Sequence, residues 1–246
     1  IGRDRSINVI NLFGFVENNP IVNVDMLGNE ILVPPERFSP FLFLGFRPIN
    51  GLIQQTQTLA QARHRYSDEF GNAYPTLGEQ EDCTACINGK EVKGKKFQKI
   101  EKYKVEIWVD YDRSADLESN VVSYNLNGQV GAMLQRYTIV EHELKHLDNY
   151  VQMIKMSLAL INNAGSECIP SECSQFLKSY IQERLIEYSR RQDMQNMKIH
   201  YDDYPLSYRP SIINVKRAVD AVNEKHKAAE QMLKHLNACK NRYFTR

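Results

Sequence analysis

The chain has 246 residues, 42% of them hydrophobic and 25% charged, with a formal net charge of +1. That balance is ordinary for a globular protein and excludes a strongly basic nucleic-acid binder. No run approaches the roughly 18 apolar residues that a spanning helix needs, so no transmembrane segment is expected. Ile1 to Ile10 carries Arg3, Asp4 and Arg5 with no apolar stretch after them, which does not read as a secretory signal peptide. The cysteines are Cys83, Cys86, Cys168, Cys173 and Cys239. Two close pairs and an odd residue suit local disulfides, and the loop Ile169-Pro170-Ser171-Glu172 is a turn that a Cys168–Cys173 bridge would close. A four-sulfur zinc site and reduced, buried thiols are the other states open to them.

Residues 1–29 are rich in Asn and Gly, and Asn11-Leu12-Phe13-Gly14-Phe15-Val16-Glu17-Asn18-Asn19-Pro20 ends in a turn signal. With Ile21-Val22-Asn23-Val24-Asp25-Met26-Leu27-Gly28 after it, this stretch resembles the segment that closes the core of Rhs/YD-repeat proteins. Met26 stands where that family has Pro, and Asn29 where it often has Leu. The resemblance implies that Ile1-Gly2 is the tail of a preceding repeat element in a longer polypeptide. It implies that Asp25 takes part in self-cleavage near Asn29, and that residues 30–246 form a variable C-terminal toxin domain. It further implies a secreted effector, released from the Rhs shell of the parent protein into the cytoplasm or periplasm of a competing or host cell. A cognate immunity protein is then an expected partner.

Pro34, Pro35, Pro40 and Pro48 make residues 31–60 extended, irregular chain rather than helix. Residues 64–97 are polar and turn-rich. Lys90 to Lys104 holds seven lysines, but Glu91 and Glu101 interrupt them and no aromatic platform accompanies them. That predicts a solvated hairpin rather than a nucleic-acid patch. Lys102 to Asp110 alternates Tyr103, Val105, Ile107 and Val109, which predicts a strand; Asn120 to Asn127 predicts a second, ended by Asn127-Gly128. Tyr137, Val140, Leu144, Leu147, Val151, Ile154, Leu158 and Ile161 then recur at three and four residues, predicting a long helix that Gly165 stops. Further helices are expected from about Ser171 to Met197 and from about Pro210 to Ala238. Strands followed by helices predict an α+β fold, a small β-sheet followed by a bundle of three long helices.

The first of those helices contains His142-Glu143-Leu144-Lys145-His146. Histidines four apart lie one turn apart on one face and can bind one metal ion together. Glu143, beside them, can take a proton from water as it attacks a carbonyl, the role of a general base. This is the H-E-x-x-H arrangement of zinc peptidases. The strand at 120–127 lies just upstream, as the substrate-aligning edge strand does in zincins, so the fold is expected to be zincin-like. The plain alternative is a pair of ordinary surface histidines.

A catalytic zinc site takes three protein ligands and leaves a position open. On the second helix, Cys173, Phe176, Leu177, Tyr180, Ile181, Tyr188 and Met194 define the apolar face, with Glu187 roughly 45° and Glu183 roughly 85° from its centre. A carboxylate aimed inward is costly unless paired or bound to a metal, so Glu187 is the expected third ligand and Glu183 an alternative. The segment from Glu187 to Asp193 also resembles the third-ligand helix of glutamate-type zincins. Arg184 lies near the same face and has two roles open to it, pairing with Glu187 or binding a substrate carboxylate. His200 and Asp202 are further candidates for the metal. Among Tyr201, Tyr204 and Tyr208 around them, a hydroxyl could stabilise an oxyanion. His64, His226 and His235 have no motif around them.

The reading that follows is a zinc metallopeptidase toxin domain that hydrolyses a peptide bond in a target-cell protein, with Zn2+ as cofactor. A zinc amidase acting on cell-wall peptide, and a non-catalytic helical binding or pore-forming domain, are the alternatives. Stoichiometric metal separates the enzymes from the last.

Overall fold

The computed structural model describes residues 42–52, 59–126, 129–204 and 210–244. The Rhs-like segment with Asp25, and Tyr208, lie outside the described residues. The chain is α+β, with small sheets and three long helices. It divides into two compact units. The first comprises the described residues up to Arg65 with Tyr103–Glu143; the second comprises Tyr66–Lys102 with everything from Leu144 onward.

In the first unit β1 (Leu42–Ile49) runs parallel to β5 (Tyr103–Asp112), with Arg47 opposite Asp110. β2 (Ala60–Asp68) lies on the other side of β5 and ends the sheet among the described residues. The Asp112 amide donates to the Leu59 carbonyl and the Glu69 amide to the Lys102 carbonyl, so β2 runs antiparallel to β5. β5 is the strand predicted at 102–110: Val105, Ile107 and Val109 are all buried on one face. β1 falls where irregular chain was expected, and the second half of β2 falls in the polar stretch 64–97 that was read as turn-rich. Pro48 is compatible with β1 because the Ile49 carbonyl faces β5, so the backbone of Pro48 faces away from it and the missing donor costs no bond to β5. β6 (Val121–Leu126) is the second predicted strand. It pairs antiparallel with β7 (Gln129–Leu134), which the sequence reading missed.

In the second unit β3 (Gln80–Ile87) and β4 (Lys90–Phe97) form the hairpin expected of the lysine-rich stretch. Asn88 (φ 52°) and Gly89 (φ 76°) make its two-residue turn. Positive φ at both positions matches the twist of the flanking strands and selects Asn-Gly. A short β8 (Ile169–Pro170) pairs with β4.

The cysteines correct the expectation of local bridges. Cys83 is bonded to Cys168 and Cys173 to Cys239, and Cys86 is free and exposed. No Cys168–Cys173 bridge forms, and with four of the sulfurs in disulfides the four-sulfur zinc site is excluded. The first bridge runs from β3 to the start of β8 across the intervening β4, and Gly94 lies beneath it. A Cβ at Gly94 would meet the Cys168 Sγ at 2.8 Å. Loops of 85 and 66 residues are closed by these bonds, each constraining the unfolded chain by about 4–5 kcal/mol on the loop-entropy model.

Helix α1 (Ile139–Leu160) begins at a capping box. The Thr138 hydroxyl accepts from the Glu141 amide at 3.2 Å, and the Glu141 carboxylate accepts from the Thr138 amide at 3.0 Å. That fixes the start of the helix one turn before His142. Thr138→Ala is expected to lower stability by about 1 kcal/mol, read as a shift in the urea midpoint at unchanged slope. After Leu160 a π-turn (Ile161–Gly165) ends the helix where Gly165 was expected to. Asn162 pins that turn: its side chain donates to the Ile100 carbonyl and accepts from the Ile100 amide, both at 2.9 Å.

Helix α2 (Ser174–Asp203) follows a 3-10 turn (Ser171–Cys173), and α3 (Ile212–Phe244) closes the chain. Asn149 of α1 donates to Asn196 of α2, and the Gly165 turn meets Ile181. The Cys173–Cys239 bond and the Lys225–Glu183 pair join α2 to α3. Each helix is therefore antiparallel to the next. Tyr150, Ile154, Ile161, Leu177 and Ile181 are almost fully buried and form the centre of this unit.

Candidate metal centre

The capping box delivers His142, Glu143 and His146 into the first two turns of α1. His142 is buried and His146 half-buried. Against His146 lies His200, from the last turn of α2, with ring centroids 4.8 Å apart. One ligand nitrogen from each of His142, His146 and His200 lies within 4.8 Å of the others. Three imidazoles at that spacing could hold a metal ion, and the donor set suits zinc, copper, iron or nickel.

Two asparagines and an aspartate support His146. Asn196 hydrogen-bonds its ring and itself accepts from Asn149 at 3.0 Å. Burial pushes His146 below the ordinary histidine pKa, while the Asn196 bond and the carboxylate of Asp203 oppose that shift. A neutral imidazole is the form a metal binds. Partners behind a ligand histidine typically account for 10–100-fold in metal affinity. Asn196→Ala is expected to weaken metal binding by about that factor in a chelator competition, with the helix content unchanged.

Glu143 is also buried, and its Oε2 accepts from the Ala62 amide of β2 at 2.6 Å. Burial pushes its carboxyl up to about 7, and the Ala62 hydrogen bond only partly opposes this. A carboxyl poised near neutrality is matched to proton transfer at that pH. The bond also places β2, the end strand of its sheet among the described residues, beside Glu143.

Glu187 is where the third-ligand expectation fails. The helical phase was right, since its side chain is only 1% exposed. The charge is met by cations instead of a metal. Glu187 accepts from Arg184 at 2.7 Å and Arg191 at 2.8 Å, with His226 Nδ1 at 3.3 Å. Arg184 also reaches Glu230, so of its two possible roles it takes the structural one. Among the described residues, the histidine cluster includes His200 and neither Glu187 nor Glu183. Glu183 pairs with Lys225 at 3.2 Å.

Tyr204 packs edge-on against His200, centroids 4.9 Å apart, which places it beside the cluster. Tyr201 is half-buried in the same last turn. Asp202 is exposed and outside the cluster; the neighbouring Asp203 is the buried carboxylate, and sequence reasoning missed it. Its signal was present, because Asp203 stands three residues after His200 on the same helix face. His64 is exposed, His226 belongs to the Glu187 ion cluster, and His235 stacks on Phe176 at 5.8 Å.

Compared with protein-family models, curated proteins and solved structures, the chain matches none.

Proposed function

We propose that this chain is a zinc-dependent peptidase with a zincin-like active site, in which His142, His146 and His200 hold the metal and Glu143 is the general base. The observation that carries the reading is the convergence of a histidine from a separate helix on the H-E-x-x-H pair. Zinc held by three imidazoles supplies Lewis-acid activation of water and polarises a carbonyl. Glu143, adjacent to the ligands and held by the Ala62 amide, is placed to take a proton from water and return it to the leaving amine. Tyr204, against His200, is the candidate donor to an oxyanion. Among the described residues β2 ends its sheet, and an extended substrate peptide would run alongside it, next to the Ala62 amide that holds Glu143.

The Rhs-like wording of residues 11–28 supports a role as an effector payload, with the parent's Rhs shell and an immunity protein as partners. The two disulfides favour the periplasm over the cytoplasm of a target cell as the place of action, because such bonds persist in oxidising compartments. No helix among the described residues is long and apolar enough to cross a membrane.

The test is metal analysis of the purified chain together with digestion of a mixed peptide library. One zinc per chain and chelator-sensitive cleavage are expected; absence of both would favour the non-catalytic reading. Release of the payload has its own check. In the full parent protein, Asp25→Asn is expected to leave the polypeptide intact where the wild type yields a fragment of about 25 kDa, the mass of the residues after Asn29. An uncut wild type would remove the self-cleavage role.

A further inference from the structure

The two disulfides flank residues 168–173 but stand in different surroundings. Cys173 and Cys239 are 0% and 1% exposed. Their bond lies between α2 and α3, which the pairs Lys225–Glu183 and Arg184–Glu230 also hold together. A reductant reaches those sulfurs only when the helices part. Cys83 and Cys168, in contrast, are half-buried. Their bond crosses β4 from β3 to the chain entering β8, so it lies on the face of a sheet rather than between helices. Gly94 stands opposite Cys83 in the ladder, and the room its missing side chain leaves is where the Cys168 sulfur sits.

The segment that this bond holds has a short ladder. β8 offers β4 two residues, Ile169 opposite Lys95 and Pro170 opposite Gly94, and Pro170 has no amide to give. The Ser171 hydroxyl adds a bond to the Lys93 carbonyl at 3.3 Å. Ile169 is 1% exposed, so apolar packing and the disulfide anchor the segment more than the ladder does. Cys86 cannot take the place of either sulfur in the folded chain. It shares the exposed face of β3 with Asp82 and Thr84, whereas Cys83 shares the other face with Ala85 and Ile87. The stretch of strand from Cys83 to Cys86 spans roughly 10 Å, beyond the about 7 Å between Cα atoms that a disulfide tolerates.

We propose that Cys83–Cys168 is a thiol-exchange site of the folded protein, opened by a low-molecular-weight thiol while Cys173–Cys239 stays closed, and that its opening loosens residues 166–171. A thiolate attacks one sulfur and forms a mixed disulfide, while the other cysteine leaves as thiolate and takes a proton from water. A second thiol group of the reductant displaces the first. Two electrons have then passed to the bond, the reductant ends as its own disulfide, and Cys83 and Cys168 end as thiols. Access to the attacked sulfur sets the order in which the two bonds open. The carboxylates beside these sulfurs are offset by cations where an anionic thiolate approaches: Glu167 pairs with Lys240 at 2.7 Å and Asp82 with Lys95 at 2.6 Å. The chain therefore carries both bonds in an oxidising compartment and only the inner one in a reducing compartment.

The experiment exposes the folded full chain to dithiothreitol at neutral pH without denaturant, traps free thiols with an alkylating reagent at intervals, and maps the label by peptide mass. Cys86, free and exposed, is labelled from the start and serves as the internal reference. Cys83 and Cys168 should gain label together, about 10²-fold faster than Cys173 and Cys239, whose reaction waits for the helices to open. Equal rates for the two pairs, or earlier label at Cys173 and Cys239, overturns the proposal. So does a Cys83–Cys168 bond that yields only in denaturant. Amide exchange on the Cys83→Ala/Cys168→Ala chain tests the consequence. Residues 166–171 should exchange about tenfold faster than in wild type while α2 and α3 keep their protection. Unchanged exchange there overturns the loosening. If that variant does not fold, the same exchange is read on wild-type chain whose outer bond dithiothreitol has opened.

Discussion

Glu143→Gln should leave one metal ion per chain and lower turnover by about 10²–10⁴-fold, the range typical of losing a general base. Glutamine is the sharper substitution because its carbonyl can still accept from the Ala62 amide, as the Glu143 Oε2 does at 2.6 Å. Glu143→Ala removes the same base but also leaves that amide without its acceptor. It should therefore show the same loss of turnover with an added stability cost of about 1–3 kcal/mol. Metal analysis, steady-state kinetics and a denaturation curve on the two variants separate the chemistry from the scaffold. Full activity in Glu143→Gln would remove the hydrolase reading. Loss of metal in that variant would instead make Glu143 a ligand.

The second large effect divides His200 from Glu187. His200→Ala should strip the metal, because it removes one of three donors, while the helices persist. Glu187→Ala should do the reverse, retaining the metal and destabilising the fold by about 3 kcal/mol. That is the low end for removing one partner of a buried ion pair, since Arg191 and His226 reach water and Arg184 keeps Glu230. The pH dependence carries the same signature. Burial alone would raise the Glu187 carboxyl, but the hydrogen bonds from Arg191 and Arg184 and the nearby positive charges outweigh it and hold the pKa below 4.5. A depressed carboxylate contributes its stability above the unfolded value and loses it as pH falls through the folded one. Wild type should therefore lose stability below about pH 4.5 more steeply than Glu187→Ala, as measured by urea midpoints across that range. Zinc loss in Glu187→Ala without a change in stability would return Glu187 to the metal site.

Helix α1 was legible because its signals are local. Heptad-like spacing, the terminal Gly165 and the H-E-x-x-H pair all lie within a few turns of one element. The inward aim of Glu187 was legible for the same reason, since helical phase follows from spacing alone. Its partner was not, because Arg184 and Arg191 compete with a metal for the same carboxylate and only packing decides between them. His200 was a weaker candidate since its approach to His146 depends on how far α2 runs back along α1, a long-range register. β2 was hidden by its own composition. Gln61, Arg63, His64 and Arg65 break the apolar alternation that marks a half-buried strand, and those are the residues exposed on it.

The disulfide pattern sets an order of events for the chain as it oxidises. Cys168 and Cys173 are five positions apart, yet each is bonded to a sulfur far away in sequence. In an unfolded chain the short loop between these two thiols closes far more readily than either long one. Early oxidation therefore favours a Cys168–Cys173 bond that the native fold does not contain. Escape requires thiol–disulfide exchange, and Cys86, exposed and on the same strand as Cys83, supplies a resident thiol for it. Native pairing follows once β3, β4 and the antiparallel α2–α3 pair have brought the distant sulfurs together. The rate at which natively bridged chain accumulates under oxidising conditions is then governed by disulfide shuffling, on a scale of seconds to hours rather than that of helix formation.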